Sequence, residues 1–545
     1  MSQILKQNKF LLSSLVITIV LAGMTFGNIP APPVPQGVQT VNGTTFNFSD
    51  YYSLTHEQIA LYNYLTSIIV NEPVNSFENW AADQFWGYLH YMFAFSQYVL
   101  ASVFETTPGY RTEFYEEPAQ QLIQKMNTTT ADYGNESIEY IEWLYRGFEV
   151  YHWPNATDTN DLYVGDYRGP ANIMWTGHYA LMETLYERSF NTGDYIDEIT
   201  WFVRDWNNSL TTDGFGNPQE GGIWGTGLIP CEPYIVFSQC NSIPIFTTEL
   251  YDNLYGTQWM ESGMWDYGLN FINTVMHEYY GLFIDGYFVQ RPIGATISTT
   301  APEVVPNPAI DIHTTDGRPK DNAYGTAWAL TFLEYTQPEL SIADYGLFMD
   351  TYGVDVSAEQ MYLVGSQNNI GNFGDVDGML GTFFASVLAN QRGDYVTRDR
   401  LQNFLTGAYN KVWSADGREM YYDTSALLDF LKPVTAGFKI WSTVPVTVRD
   451  LGDARPVGFW DWPYISAADD ENIWVYQAEW DAANEAFILN IKVDETATLT
   501  FSNFDSTPTA FAYGSTFSEF VASGDDYTLT LAPGSYNLVI IEGGI

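Results

Sequence analysis

The segment Cys231-Glu232-Pro233-Tyr-Ile-Val-Phe237-Ser-Gln-Cys240-Asn241 holds both cysteines of this 545-residue chain and an acid beside the first of them. A helix is predicted just after it, because Asn241 and Ser242 are capping residues and a proline at position 244 is tolerated in a first turn. The apolar pattern of this helix ends at Gly256. Cys240 is then expected within about one turn of the positive end of the helix, where a thiol ionises more easily.

The two cysteines also have a structural interpretation. Two cysteines in an exported chain most often form a disulfide. A bridge between Cys231 and Cys240 would close a short loop and stabilise the fold by about 2–3 kcal/mol. The spacing therefore leaves open a disulfide and a pair of reactive thiols.

Length and composition restrict the class of protein. The chain is too long for one ordinary core, so two domains are expected. Aromatic residues make up 17% of it, which predicts wide aromatic surfaces or pockets. The formal net charge is −45, from 66 acidic and 21 basic residues, so neither nucleic acid nor an anionic membrane surface is an expected partner. A salt-rich or extracellular setting fits this charge.

The N-terminal segment resembles an export signal. Lys6 and Lys9 precede an apolar run over residues 10–24, which predicts a signal peptide or an N-terminal membrane anchor over residues 1–27. Residues 28–48 are rich in Pro, Gly and Thr and are interpreted as a tether. We expect a secreted or surface protein, with a membrane tether as the alternative. Six glycosylation sequons agree with export: Asn42, Asn47, Asn127, Asn135, Asn155 and Asn207.

The remainder divides into a helical part and a β part. About a dozen helical patterns occupy residues 49–445, including 172–190, 242–255, 264–277, 398–413 and 137–150. They predict a mainly α protein with an α/α toroid, or (α/α)6 barrel. Residues 446–545 contain six strand-like runs punctuated by Asn, Asp, Gly and Pro, which predict a small antiparallel β-sandwich domain.

A second group of candidate residues lies in the segment 172–190. Met174, His178 and Met182 are spaced at i, i+4 and i+8 and therefore share one apolar helix face. An imidazole there is either a hydrogen-bonded core residue or an acid/base group.

Other chemistry is less well supported by the sequence. No His-x-x-x-His, glycine-rich phosphate loop or Gly-x-Ser-x-Gly pattern occurs, so no metal and no cofactor are predicted. Tyr324 and Trp328 share one face of a predicted helix and are interpreted as core or pocket wall. Asp375 and Asp377 precede another helix and are interpreted as capping acids.

The cysteine segment, followed by Leu250-Tyr251-Asp252 and Gly256, resembles the signature of the linalool dehydratase/isomerases. The upstream segment Asn172-Ile-Met174…Gly177-His178…Leu181-Met182 and the downstream Ala323-Tyr324…Thr326-Ala-Trp328 are also similar to that family. The resemblance covers roughly residues 58–410 and leaves the C-terminal β region unmatched.

This resemblance implies an (α/α)6 barrel and a cofactor-free lyase or isomerase that dehydrates, hydrates or isomerises a tertiary allylic terpene alcohol. It also implies a homo-oligomer. The matching positions give an acid/base cluster of His178, Cys231, Glu232 and Cys240, with a hydrophobic wall of Met174, Phe237, Tyr324 and Trp328. The family has an early Asp and Tyr that handle the substrate hydroxyl. Thr66 replaces the Asp here, and Glu72 is the candidate substitute in the Tyr region.

Two other functions remain open. An exported carbohydrate-active enzyme on an α/α barrel would take a glycan and needs two carboxyls across a cleft; Glu232 with Asp375 or Asp377 is the candidate pair. A non-catalytic surface binding protein on a degenerate barrel is the third interpretation. It agrees with the loss of the early Asp and with a disulfide.

Overall fold

Thirteen α-helices occur in the part of the chain that the structure describes. The computed structural model describes residues 37–80, 89–130, 136–137, 151–152, 172–213, 216–231, 235–277, 281–284, 286–289, 296–297, 307–308, 323–364, 376–407, 409–424, 431–512, 515–517 and 520–543. The helices are α1 His56–Val70, α2 Leu89–Thr106, α3 Glu113–Met126, α4 Ile173–Phe190, α5 Ile196–Thr211, α6 Ser238–Tyr255, α7 Asp266–Phe271, α8 Ala323–Thr336, α9 Pro338–Tyr352, α10 Val376–Gln391, α11 Tyr395–Gly407, α12 Leu431–Trp441 and α13 Val448–Gly452.

Six of these helices form a closed cycle of contacts. α2, α4, α6, α8, α10 and α12 contact one another in that order, and α12 also contacts α2. The other long helices lie against members of this cycle: α1 against α12, α3 against α2 and α4, α5 against α4, α9 against α8, and α11 against α10. The chain therefore alternates between helices inside and outside the cycle.

Two glycines allow the helices of the cycle to approach closely. A Cβ atom added to Gly177 of α4 would lie 3.1 Å from Cδ of Pro244 in α6. One added to Gly325 of α8 would lie 3.0 Å from Cδ of Gln239, also in α6. Both distances are shorter than ordinary contacts between carbon atoms, so α6 depends on glycine in both neighbouring helices.

Several predicted helix boundaries are wrong. α11 ends at Gly407, and residues 411–413 of the predicted helix 398–413 form strand β12 (Lys411–Trp413), paired with β13 (Met420–Tyr422). The predicted helix 264–277 is divided into α7 and a π-helical turn at Ile272–Met276. Ser137 of the predicted helix 137–150 belongs to a short strand, and the rest of that range lies outside the described residues. The sequence pattern does not predict α12, because Pro433 and Gly437 lie inside it.

The C-terminal part is antiparallel β structure. One sheet has four strands in the order β14 Tyr464–Ala468, β17 Ala497–Ser502, β21 Asp526–Leu531 and β20 Val521–Ser523. The other has five strands in the order β15 Ile473–Asp481, β16 Ala486–Val493, β22 Gly534–Glu542, β18 Pro508–Ala512 and β19 Ser515–Phe517. All six predicted strands are confirmed. They alternate or run apolar because their inward residues, such as Leu489 and Leu529, are fully buried.

Backbone hydrogen bonds join the β part to the helical part. In the loop between α2 and α3, Gly109 N donates to Ala478 O at 2.8 Å and Arg111 N donates to Ile465 O at 2.8 Å. Ile465 N in turn donates to Gly109 O at 2.8 Å. The loop thus contacts one strand from each sheet, and residues 34–545 form one compact unit.

The first described residues are not an open tether. β1 (Val38–Val41) and β2 (Thr44–Asn47) form a hairpin whose Phe46 packs with Ile488 and Val539 of the five-stranded sheet. The predicted tether therefore does not include this hairpin. Residues 1–27, with the predicted signal peptide or anchor, lie outside the described part. Among the residues described, no helix is long and apolar enough to cross a membrane.

Several short strands lie between the helices of the described ranges. They are β3 Thr129–Thr130, β4 Glu136–Ser137, β5 Tyr151–His152, β6 Ile235–Val236, β7 Tyr287–Phe288, β8 Thr296–Ile297, β9 Asn307–Pro308, β10 Gly353–Ser357 and β11 Gln360–Leu363. β6, which lies within the cysteine segment, forms a three-stranded antiparallel sheet with β7 and β9.

Candidate active site

The cysteine segment is a turn held against the start of α6. Cys231 N donates to Ile235 O at 3.0 Å, which closes the turn. Oδ1 of Asn241 accepts from Ile229 N at 2.9 Å, and its Nδ2 donates to Ile229 O at 3.0 Å. One amide side chain thereby satisfies both backbone polar groups of the buried residue Ile229 and fixes the turn next to the helix. Glu232 lies outside the described residues.

Helix α6 starts earlier than its capping residues predict. It begins at Ser238, so Cys240 lies in the first turn, and Asn241 and Ser242 lie within the helix rather than before it. The physical reason is that the Asn241 side chain bonds Ile229 and Phe237 O instead of capping the helix end. The predicted end at Gly256 is confirmed, with φ +63° in the left-handed region.

The two cysteines meet without a bond. Their Sγ atoms lie 2.7 Å apart, both side chains are buried, and neither cysteine is in a disulfide. The predicted disulfide is therefore absent from the structure, since an S–S bond needs about 2.05 Å. The prediction that the two residues are neighbours is correct.

The segment also contacts the second group of candidate residues. Ile173 N, at the start of α4, donates to Pro230 O at 3.1 Å. The peptide before Cys231 is therefore bonded to the first turn of the helix that carries Met174 and His178. Met174 and Met182 are both buried, as their shared apolar face predicts.

His178 is buried among aromatic rings. Its ring centroid lies 5.3 Å from that of Tyr91, 5.8 Å from Phe95 and 5.2 Å from Trp328. Phe384 stacks on Trp328 with centroids 5.2 Å apart and an interplanar angle of 11°. α2, α4, α8 and α10 each supply part of this cluster, which is the aromatic wall that the composition predicts.

The two nitrogens of His178 are in different situations. Nδ1 lies 2.6 Å from the hydroxyl oxygen of Tyr98. Nε2 is buried and has no hydrogen-bond partner among the residues that the structure describes. Burial, with a smaller contribution from the charge of His90, lowers the pKa of His178 well below its usual value. The imidazole is therefore neutral at physiological pH.

The predicted wall residues come from three parts of the chain: Met174 lies on α4, Phe237 directly before α6, and Tyr324 and Trp328 on α8. Trp328 is 4% exposed and contacts His178 directly. Tyr324, one turn before it on α8, is half-buried and lies against Gly381 of α10, where an added Cβ would be 3.3 Å from it. Phe237 is half-buried beside Gly286, where an added Cβ would be 3.0 Å from its ring.

Glu72 is bound in an ion pair. Its Oε2 lies 3.1 Å from Nζ of Lys125 on α3, and its Oε1 accepts from Asn79 N at 3.1 Å. Lys125 also donates to Pro73 O and Ser76 O. The carboxylate is thus connected to the segment after α1 and to an outer helix. Thr66, which the sequence resemblance predicts to replace the family's Asp, donates within its own helix to Tyr62 O at 3.0 Å.

The remaining candidates are only partly placed. Asp375 lies outside the described residues, as does the side chain of Asp377. Of the sequons, Asn42 and Asn127 are exposed, Asn47 donates to Asp50 at 3.0 Å, Asn207 lies in α5, and Asn135 and Asn155 are outside the described part. In the described ranges, no group of three or more His, Cys, Asp or Glu side chains is arranged to hold a metal ion.

The sequence prediction missed four residues that surround His178. His90, Tyr91, Phe95 and Tyr98 all lie on α2, and their ring centroids are within 6.0 Å of that of His178. A signal was present, because Tyr91, Phe95 and Tyr98 are spaced at i, i+4 and i+7 and form an aromatic stripe. Such a stripe usually belongs to an ordinary core, so it does not identify a site.

The family model described as linalool dehydratase/isomerase matches residues 223–307. The match contains Cys231, Glu232, Phe237 and Cys240 together with β6, β7 and the first residue of β9. The match begins after α4, which carries His178, and ends before α8. The similarity of α4 and α8 to the family is therefore not part of the match.

Solved structures of glycoside hydrolases are distantly similar. The GH76A α-1,6-mannanase from Salegentibacter sp. HEL1_6 has 12% identity and a TM-score of 0.37, covering 73% of this chain and 98% of its own. An inactive variant of that enzyme with α-1,6-mannotriose has 12% identity and a TM-score of 0.39, over 73% and 99% of the two chains. A family 105 glycoside hydrolase from C. acetobutylicum ATCC 824 has 11% identity and a TM-score of 0.40, over 72% and 96%. Scores this low assign neither a fold nor an activity. Within residues 223–307, by contrast, the chain matches the linalool dehydratase/isomerase family, as its cysteine segment predicts.

Proposed function

We propose that this protein is a lyase or isomerase that removes, adds or relocates the hydroxyl group of an apolar, terpene-alcohol-like substrate. The observation that carries this proposal is the environment of His178. A neutral imidazole with one nitrogen unbonded among the described residues is surrounded by Tyr91, Phe95 and Trp328. Such a site provides one polar contact in an otherwise apolar space.

The cycle of six helices supports the proposed fold. We interpret α2, α4, α6, α8, α10 and α12 as the inner ring of an (α/α)6 barrel, with α1, α3, α5, α9 and α11 outside it. Four of the six inner helices then contribute aromatic side chains to the His178 cluster. The two C-terminal sheets are interpreted as a β-sandwich that covers the α2–α3 loop.

The proposed chemistry is general acid/base catalysis. In dehydration the C–O bond breaks as the hydroxyl oxygen accepts a proton, and a base removes a proton from the neighbouring carbon, so that water leaves and a C=C bond forms. Cys231, Cys240 and Glu232 are the proposed acid/base groups, and His178 is proposed to contact the oxygen of the substrate. The aromatic wall excludes stray water and stabilises a developing allylic cation.

A glycan substrate agrees less well with the surroundings of His178. The pKa of His178 is lowered by burial and by His90, and no carboxylate of the described residues is among the causes. A glycoside hydrolase needs two carboxyls flanking the scissile bond. The exported location, the homo-oligomer and the membrane tether remain proposals, as they are based on the sequence.

The function can be tested with linalool and related allylic alcohols under reducing, anaerobic conditions. We expect purified parent protein to form the dehydrated diene, and His178→Gln and Glu232→Gln to lower turnover by about 10²- to 10⁴-fold. His277→Gln is the matched control, because His277 bonds Asp344 at 2.7 Å instead of the aromatic cluster.

Two outcomes would contradict the proposal. In one, neither His178→Gln nor Glu232→Gln differs from the parent on any alcohol that turns over. In the other, the parent converts no alcohol but hydrolyses an α-mannoside or another glycan. The second outcome would favour the carbohydrate-active alternative. Absence of any turnover, with bound ligand detected by calorimetry, would favour a non-catalytic binding protein.

A further inference from the structure

The hydrogen bond between Tyr98 and His178 has a defined direction. The hydroxyl oxygen of Tyr98 lies 2.6 Å from Nδ1 of His178, and each of the two residues is 1% exposed. Burial raises the pKa of Tyr98 well above its usual value, so the phenol keeps its proton. Burial and His90 lower the pKa of His178, so the imidazole carries one proton only.

The direction fixes the tautomer of His178. A neutral imidazole has one N–H donor and one acceptor nitrogen. Nδ1 of His178 is the only hydrogen-bond partner of the Tyr98 hydroxyl among the described residues. If Nδ1–H donated to that oxygen, the buried O–H of Tyr98 would have no acceptor, so Tyr98 donates, Nδ1 accepts, and the single proton of the imidazole is on Nε2. Tyr98 itself is held by packing, with its ring centroid 5.6 Å from Phe332 and 5.9 Å from Trp441.

Nε2–H is then a buried donor. No described residue accepts a hydrogen bond from it. A buried donor without an acceptor is unfavourable, and a ligand oxygen that accepts from it removes this cost. Of the rings beside His178, those of Phe95 and Trp328 carry no hydrogen-bond acceptor.

We propose that Tyr98 is a positioning residue, whose hydroxyl fixes His178 in the Nε2–H tautomer so that the imidazole donates a hydrogen bond to the oxygen atom of the ligand. His178 then binds and polarises an oxygen acceptor, a hydroxyl or a carbonyl, and it does not remove the proton of a hydroxyl. The assignment of that oxygen to the substrate alcohol rests on the proposed function. The proton that the leaving hydroxyl needs comes from Cys231, Cys240 or Glu232.

The tautomer can be measured without any substrate. Histidine labelled with ¹⁵N in the ring and incorporated into the full chain gives distinct signals for protonated and unprotonated nitrogens. We expect the parent His178 to show Nε2–H and an acceptor Nδ1 from pH 6 to pH 8. His178→Gln assigns the signal by removing it. A signal from Nδ1–H, or from a doubly protonated ring, would overturn the proposal.

Tyr98→Phe tests the role of the hydroxyl. This variant keeps the ring that packs on Phe332 and Trp441 and removes only the donor. We expect a mixture of both tautomers and a loss of about tenfold in kcat, with a smaller change in KM. Tyr115→Phe is the matched control, because its hydroxyl also makes a buried 2.6 Å hydrogen bond, to Thr107 directly after the end of α2.

The two proposals fail in distinguishable ways. If the parent shows the Nε2–H tautomer and Tyr98→Phe loses it, Tyr98 has the proposed role even when no alcohol turns over, and only the proposed function is wrong. If Tyr98→Phe keeps a single Nε2–H tautomer, the hydroxyl does not fix the ring and the positioning role is wrong. Equal losses of activity in Tyr98→Phe and Tyr115→Phe would also overturn it.

Discussion

The Sγ atoms of Cys231 and Cys240 lie 2.7 Å apart and are buried at the start of α6, although no bond joins them. The turn that carries Cys231 is fixed to the helix that carries Cys240 by the side chain of Asn241. The two sulfurs are therefore held together by hydrogen bonds of the backbone and of one amide, whether or not they are oxidised.

This arrangement predicts the thiol chemistry of the protein. Under reducing conditions we expect two thiols per chain that react slowly with a thiol reagent in the native protein and rapidly after unfolding, because both side chains are buried. A mild oxidant should remove both thiols together without forming dimers. Cys240→Ser is the control and should retain one reactive thiol. If protein kept under reducing conditions shows no thiols directly after unfolding, the result would contradict the structure.

The buried pair of Glu72 and Lys125 predicts a stability effect. Their charged atoms lie 3.1 Å apart and the two side chains are 5% and 0% exposed. Lys125→Met should lower the free energy of unfolding by about 3–5 kcal/mol, since it leaves a buried carboxylate without its cation. The double variant with Glu72→Gln should recover part of this loss in urea denaturation.

The same variants test whether Glu72 acts in catalysis. If its role is only structural, Glu72→Gln and the double variant should keep their turnover when assayed below their unfolding transitions. A loss of kcat in Glu72→Gln that exceeds the loss in Lys125→Met would show that the carboxylate acts in the site.

Asp470 lies at the contact between the helical and β parts, and its pKa predicts that the stability of the protein depends on pH. Burial, with Glu113 and Asp469 adding repulsion, raises its pKa to about 6, while Tyr110 and Thr112 donate hydrogen bonds to it. The folded state thus keeps a proton that the unfolded chain loses near pH 4. This carboxyl contributes stability that is fully present below about pH 4 and is lost as the pH rises through about 6.

Asp470→Asn should remove that dependence. The amide oxygen still accepts from Tyr110 and Thr112 but does not ionise. We compare the free energies of unfolding of variant and parent by urea denaturation at pH 4 and at pH 7. The difference between them should favour the variant more at pH 7 than at pH 4. Asp461→Asn, at an exposed position, is the control and should shift neither curve. An equal difference from the parent at both pH values would contradict the prediction.

The close approach of α4 and α6 predicts the effect of adding one methyl group. In Gly177→Ala the new Cβ would lie 3.1 Å from Cδ of Pro244, a rigid ring within a helix. We expect a loss of about 1–3 kcal/mol in the free energy of unfolding through overpacking. Gly346→Ala is the control, since no atom lies within 4 Å of its added Cβ in α9. It should gain up to about 1 kcal/mol from helix propensity.

Local patterns in the sequence predicted most helices and strands because their burial is periodic. The end of α6 at Gly256 and the six predicted strands of the β part are examples. The predicted start of α6 was wrong, because the side chain of Asn241 forms hydrogen bonds with Ile229 and does not cap the helix. α12 was missed because Pro433 and Gly437 disfavour a helix locally, while contacts with α2 and α10 stabilise it.

By itself, the sequence determined that Cys231 and Cys240 belong together and that His178 lies on an apolar helix face, since both follow from short spacings along one segment. It also determined the family that residues 223–307 match. Only the tertiary structure decided that the sulfurs are not bridged, that Glu72 is paired with Lys125, and that Tyr98 bonds His178. Those relationships join residues up to 80 positions apart, and their distances depend on how whole helices pack against one another.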